Sequence, residues 1–200
     1  MNLHQVITER RSIKQFDPEY RIGEQAFQQI MEHAILAPTS FNIQHWRFVR
    51  VQDPELRHAI KEAAWGQAQV TDASELLIVA ADIKAWEKQP ERYWRNVDDE
   101  KRDVLVPMLK SFYQDRDWLQ RDEAIRSGAF AAQNIMLSAQ ALGYACCPMI
   151  GFDPDRVAQL IGLPEDHLIV VMLAMGKAVV EPWPRGGQLP LDEVLVANRF

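Results

Sequence analysis

Two short runs, Leu76–Ala81 and Leu168–Met175, constrain this chain more than any other feature. Each is strand-length and apolar at every position. A half-buried strand alternates apolar and polar residues. An uninterrupted apolar run of this length is the pattern of a central strand buried on both faces. Neither run approaches the roughly 18 residues that a membrane helix requires. The first nine residues show no basic region followed by an apolar core, so no secretory leader is expected. A hydrophobic fraction of 48 % and a charged fraction of 25 % over 200 residues fit one domain with a sizeable core. The formal net charge of −6 argues against a nucleic-acid partner, which needs a basic face. A cytoplasmic protein without membrane association is expected.

Around the two runs the chain divides as follows. Leu3, Val6 and Ile7 fall at helical spacing and predict a short helix over 3–10. A second helix is predicted over 24–36, with Phe27, Ile30, Met31, Ala34 and Ile35 on one face and His33 at the surface. Residues 46–51 read as a strand. Asp53-Pro54 opens a helix that reaches about Ala64. Residues 84–126 are dense in charge and carry Trp86, Tyr93, Trp94, Phe112, Tyr113 and Trp118. They read as a helical excursion, either a lid over a site or plain cover for apolar surface. A helix over 127–142 is rich in small residues, and Gly143 suits its end. A strand over 144–151 leads to Asp153-Pro154, which opens a helix ending near Gly162. Residues 177–200, with Pro182, Pro184 and Pro190, read as an extended arm finishing in an edge strand over 193–196.

Candidate chemistry is concentrated in three places. Arg10-Arg11-Ser12-Ile13-Lys14 packs three cations and a hydroxyl into five positions. Such a cluster is either a solvated face or an anion site offering guanidinium forks. The loop Ala37 to Trp46 is dense in small polar donors and amides. It is either a connection or a site that binds a planar heteroaromatic ring by its edge. Cys146 and Cys147 are adjacent, which disfavours a disulfide between them. They read as half-buried strand residues. There is no G-x-G-x-x-G, no P-loop and no nucleophile elbow. The five histidines do not fall at metal-ligand spacing with cysteines or carboxylates, so no metal is expected. A chain so short of side-chain catalysts points to a bound cofactor as the carrier of any chemistry.

Four stretches, taken in order and spacing, resemble the flavin-dependent nitroreductase family. They are Arg10 to Lys14 with Phe16-Asp17; Ala37 to Trp46; Gly143 to Asp153; and Gly176-Lys177 with the Pro-rich arm and Leu189-Pro190-Leu191. The resemblance implies an α+β fold of three layers, with a mixed, mostly antiparallel sheet flanked by helices, in an intertwined homodimer. It implies FMN at the dimer interface and NADH or NADPH as a transient hydride donor. The implied reaction is ping-pong hydride transfer to a nitroaromatic or quinone acceptor. Reduction of enals or small aldehydes on the same fold, or a non-catalytic flavin-binding module, remain alternatives.

Position by position, the resemblance assigns Arg10, Arg11 and Ser12 to the phosphate and ribityl end. Lys14 falls near the pyrimidine edge, where a fixed cation stabilises negative charge on the reduced ring. Pro38, Thr39, Ser40 and Asn42 match the loop that reaches the flavin from the second chain. Pro148, Met149, Ile150 and Gly151 match the strand end beneath the ring. Gln67 and Gln69 fall at its edge, and Arg185 is the candidate for a second phosphate cation. Two places depart from the family pattern: Ile150 stands where some members carry an acid, and Gln188 stands where many relatives carry Arg.

Overall fold

A computed structural model describes residues 1–200. In chain order the elements are α1 (Leu3–Glu9), α2 (Glu24–Ala34), β1 (Trp46–Arg50), α3 (Pro54–Ala63), α4 (Gln69–Asp72), β2 (Glu75–Asp82), α5 (Asp99–Tyr113), α6 (Asp117–Ala141), β3 (Ala145–Met149), α7 (Pro154–Leu160), β4 (His167–Gly176) and α8 (Leu191–Val194). Single 3₁₀ turns lie at Ser40–Asn42 and Pro90–Trp94. The four strands form one sheet in the order β1-β2-β4-β3, every neighbour antiparallel. The one parallel pairing is the isolated bridge between Ser12 and Cys146.

The two apolar runs are the two inner strands, and all eight residues of β2 are buried. Side chains alternate across a strand, so each face of the sheet gathers its own core. On one face Leu76, Ile78, Met172 and Ala174 pack with Ile60 of α3, Val70 of α4 and Val157 of α7. On the other, Leu77, Val79, Leu173 and Met175 pack with Phe27 and Ile30 of α2 and Ala132 and Ile135 of α6. The result is a helix–sheet–helix, α+β architecture. Cys146 and Cys147 belong to opposite faces and are both fully buried, not half-buried as the sequence suggested.

A third cluster stands apart from the sheet. Ile43 is enclosed by Ala85, Trp86, Tyr93, Leu109 and Tyr113. The aromatics of residues 84–126 therefore cover the 37–46 loop, with Phe41 packed against Phe112 and Tyr113.

Three expectations are corrected. The helix placed at 127–142 begins ten residues earlier, at Asp117, where Leu119 packs on the aromatic cluster around Tyr113 and Gln120 Nε2 donates to the Tyr113 carbonyl. Ile35 does not join the buried face of α2; the helix ends at Ala34, and Ile35 is 51 % exposed. The tail over 193–196 has no strand partner. Residues 191–194 instead close one helical turn, and every residue there is exposed.

The register between β2 and β4 shifts between Val79 and Ala80, leaving Val170 as the extra residue of a bulge. Val170 is the neighbour of Gly128 on α6: a Cβ at Gly128 would lie 2.6 Å from Val170 Cγ2. The glycine is what lets α6 seat on the bulge. Gly128→Ala should destabilise the protein by about 1–3 kcal/mol in urea unfolding, the scale of core overpacking. Adding Val170→Ala should recover part of that loss. A stability unchanged by Gly128→Ala would show that α6 can lift away freely.

Candidate active site

The basic segment takes its shape from the core. Arg10 caps α1 with φ −55° and ψ 127°, which turns the chain extended. The Ile13 N–H then donates to the Cys146 carbonyl at 3.0 Å, and the Asp17 N–H to the Lys177 carbonyl at 2.9 Å. Ile13 and Phe16 sink into the core. Ser12 and Lys14 are left exposed beside the edge strand β3. The arm returns along the same segment, the Val179 N–H donating to the Gln15 carbonyl.

Between them lies a cleft of about 360 Å³, lined by residues 10–15 and by the arm from Val180 to Gln188. Arg10, Arg11, Lys14 and Arg185 face Glu181 as the one lining carboxylate. Arg11 donates to the Trp183 carbonyl, and Arg185 Nη2 donates to the carbonyls of Thr8 at 2.8 Å and Arg10 at 3.1 Å. Arg10 Nη1 is buried and has no partner. A buried charged donor left unpaired is costly, so this atom marks where an acceptor is required.

The end of β3 adjoins this segment through the Ser12–Cys146 bridge. Met149 is buried and Ile150 is 81 % exposed. Gln67 Nε2 donates to the Gly151 carbonyl at 2.6 Å, and Gln69 Nε2 donates to Gln67 Oε1 at 2.9 Å. The two glutamines thus form a chain that fixes the Gly151 backbone. Trp65, 72 % exposed at φ +55°, sets its ring 3.4 Å from the place a Gly151 side chain would occupy. Sequence reading missed Trp65; an aromatic directly before Gly66-Gln67 was the available signal.

Burial pushes the Cys146 thiol up to about 12 and raises that of Cys147, with the Arg10 and Lys14 charges opposing. Both stay protonated near neutrality, so neither is a thiolate nucleophile. Histidine spacing had suggested no ligand-type cluster, yet pairing of β2 with β4 sets His167 opposite Asp82. Asp82, Asp166 and His167 converge within 4.8 Å. Lys88 Nζ lies 2.9 Å from Asp82 and 2.5 Å from Asp166, so a protein cation already bridges the two carboxylates.

Pro38, Thr39, Ser40 and Asn42 lie away from the cationic cleft and line none of it. Their loop is strained: Phe41, Asn42 and Gln44 have φ of 51°, 55° and 54° without being glycine. Polar contacts hold it. Thr39 Oγ1 lies 2.9 Å from Ser127 Oγ and 3.5 Å from His45 Nδ1, and accepts from the Gln44 N–H. Asn42 Nδ2 donates to the Tyr93 carbonyl at 2.7 Å. His45 is fully buried, and its Nε2 has no partner.

Residues 7–177 match the sequence pattern of the nitroreductase family. This chain belongs to that family. It is 49 % identical to the protein DrgA of Synechocystis, over 100 % of this chain and 97 % of DrgA. It is 33 % identical to MhqN of Bacillus subtilis, named as an NAD(P)H nitroreductase, over 94 % of this chain and 95 % of that protein. Its fold superposes with a TM-score of 0.91 on a crystal structure from Exiguobacterium sibiricum described as a nitroreductase in complex with FMN. That structure is 29 % identical, and the match covers 98 % of this chain and 97 % of the other. Of the residues singled out in the sequence, Arg10, Arg11, Ser12, Lys14 and Arg185 share one cleft, and the 37–46 loop lines none of it.

Burial lowers the His45 imidazole to about 4, Asp82 opposing and Arg47 adding to the shift. The unfolded chain therefore binds this proton first as pH falls. The contribution of His45 is complete above pH 6.5 and is lost progressively toward pH 4, by up to about 3 kcal/mol. Urea unfolding at pH 7 and pH 4.5 should show a larger drop for wild type than for His45→Gln. Equal drops would mean that the ring is solvated in the folded protein.

Proposed function

We propose that this chain is an FMN-dependent NAD(P)H oxidoreductase that works as a homodimer and reduces nitroaromatic or quinone acceptors. The observation that carries the reading is the buried, unpartnered Arg10 Nη1 in a cleft with four cations and one carboxylate. A phosphate monoester supplies the oxygens that this atom lacks, and a guanidinium fork binds them bidentately. The FMN complex of the Exiguobacterium sibiricum nitroreductase supports the same cofactor, and the NAD(P)H nitroreductase name of MhqN supports the same donor. When bound, FMN accepts a hydride from a nicotinamide and passes it to the acceptor in a second step.

The protein's own residues have distinct tasks in this reading. Arg10, Arg11 and Ser12 hold the phosphate end. Arg185 ties the arm to α1 through two backbone carbonyls, which closes the cleft over that end. Lys14 places a fixed charge where negative charge develops, and it does so with no reorganisation at the moment of transfer. Gln67 and Gln69 hold Gly151, which keeps the backbone of 148–151 in one position beneath the ring. Thr39 and Asn42 act on the site of a second copy of the chain, and this explains why they lie away from their own cleft. No side chain has to act as nucleophile or general acid, in keeping with the protonated thiols and the neutral His45.

Purified protein should be yellow and should rebind FMN after its removal. Arg10→Ala should weaken FMN binding by roughly 1.5–3 kcal/mol, the scale of a charge-assisted hydrogen bond, in a flavin fluorescence titration. An unchanged affinity would remove the phosphate from Arg10. A colourless protein that takes up no FMN would refute the function itself.

A further inference from the structure

A second cationic cleft lies on the far side of the strained loop. Asn42, Gln44, Arg47, Arg92, Arg95 and Asn96 face a space of about 550 Å³. Trp46 and Tyr93 complete its wall, so three guanidinium groups meet three amides and no carboxylate lines the cleft. This is unusual in a chain of net charge −6, where a surface arginine ordinarily finds an acid. Two of the three are already oriented. Arg47 Nη1 donates to the carbonyls of Gln44 at 3.1 Å and Trp46 at 2.7 Å, and Nη2 reaches toward Asp82 at 3.5 Å. Arg92 lies over the Tyr93 ring at 5.0 Å and donates to its hydroxyl at 3.1 Å. Gln44 Nε2 donates to Asn42, so the amides are ordered as a pair. Arg47 is paired with Asp82 beneath the cleft, whereas Arg92 and Arg95 make no ion pair; fixed donors beside two unpaired guanidinium groups form a site that gains from an anion and whose potential steers one inward.

We propose that the Arg47–Arg92–Arg95 cleft is an oxyanion subsite that holds the phosphate-bearing end of the nicotinamide dinucleotide. The assignment to the donor rests on the function proposed above. A pyrophosphate offers two charges spread over several ångströms, which suits three separated guanidiniums better than the single charge of a carboxylate. The chain has no G-x-G-x-x-G turn to take those phosphates at a helix N-terminus, so side-chain cations must supply the contact. The cleft also shares Asn42 with the loop assigned to the ring edge. A donor held here would therefore reach the redox centre from the loop side.

The test compares holoprotein with the double variant Arg92→Gln/Arg95→Gln. Flavin content should be unchanged. The KM for NADH or NADPH should rise roughly tenfold or more, while kcat with an uncharged quinone holds. Inorganic pyrophosphate should compete with the dinucleotide in wild type and lose that competition in the variant. An unchanged dinucleotide KM with a raised KM for a carboxylate-bearing acceptor would keep the oxyanion subsite and overturn its assignment to the donor. Should the protein hold no flavin, titration with pyrophosphate still decides the subsite, because the variant must bind it more weakly than wild type. Equal pyrophosphate affinity in the two proteins overturns the subsite outright.

Discussion

The pairing of β2 with β4 is the interaction on which everything else hangs. Both strands are apolar on each face along their shared length, so neither can sit at an edge without exposing a full side to water. Enclosing them demands a helical layer above and below, and α2 with α6 and α3 with α4 and α7 supply the two layers. Fully burying each Leu, Ile or Met of this ladder is worth about 1.5–3 kcal/mol, far more than any surface contact in the molecule. The ladder also dictates a detail of the cover. Its bulge lifts Val170 toward α6, and the helix answers with glycine at 128.

The site is a consequence of what lies at the edges of that ladder. β3 is an outer strand, and the 10–17 segment lies along it, with Ile13 and Phe16 as anchors. Once those two point inward, the charged residues between and before them must face the arm. Like charges gathered in one cleft repel one another, and the structure meets this with dipoles rather than acids. Backbone carbonyls of Thr8, Arg10 and Trp183 accept from Arg185 and Arg11. That arrangement satisfies the framework and leaves Arg10 Nη1 without a partner.

The 37–46 loop shows the opposite strategy. Three non-glycine residues hold left-handed backbone there, each at a cost of the order of 1–3 kcal/mol. A strained loop persists only when its surroundings over-determine it. Ile43 is locked among the aromatics of residues 84–126, Thr39 is tied to Ser127, and Asn42 is tied to the Tyr93 carbonyl. The helical excursion is thus the support of the loop, whatever else it contacts.

Much of the fold was legible in the sequence. The uninterrupted apolar runs identified both inner strands, and Asp53-Pro54 and Asp153-Pro154 marked two helix starts that the structure reproduces. The cation cluster at 10–14 was visible as composition, because charge density needs no tertiary information. What the sequence left open was decided by long-range contact. The early start of α6 and the helical turn at 191–194 depend on packing partners far along the chain, or on their lack. The Asp82–Lys88–Asp166–His167 group exists only because β2 and β4 pair in one register. Local pattern determined which residues are strand, helix and cation. Only the tertiary structure determined that Arg10 Nη1 is buried without a partner, that His45 is neutral, and that three arginines line a cleft that no carboxylate lines, because burial and proximity are properties of the packed chain.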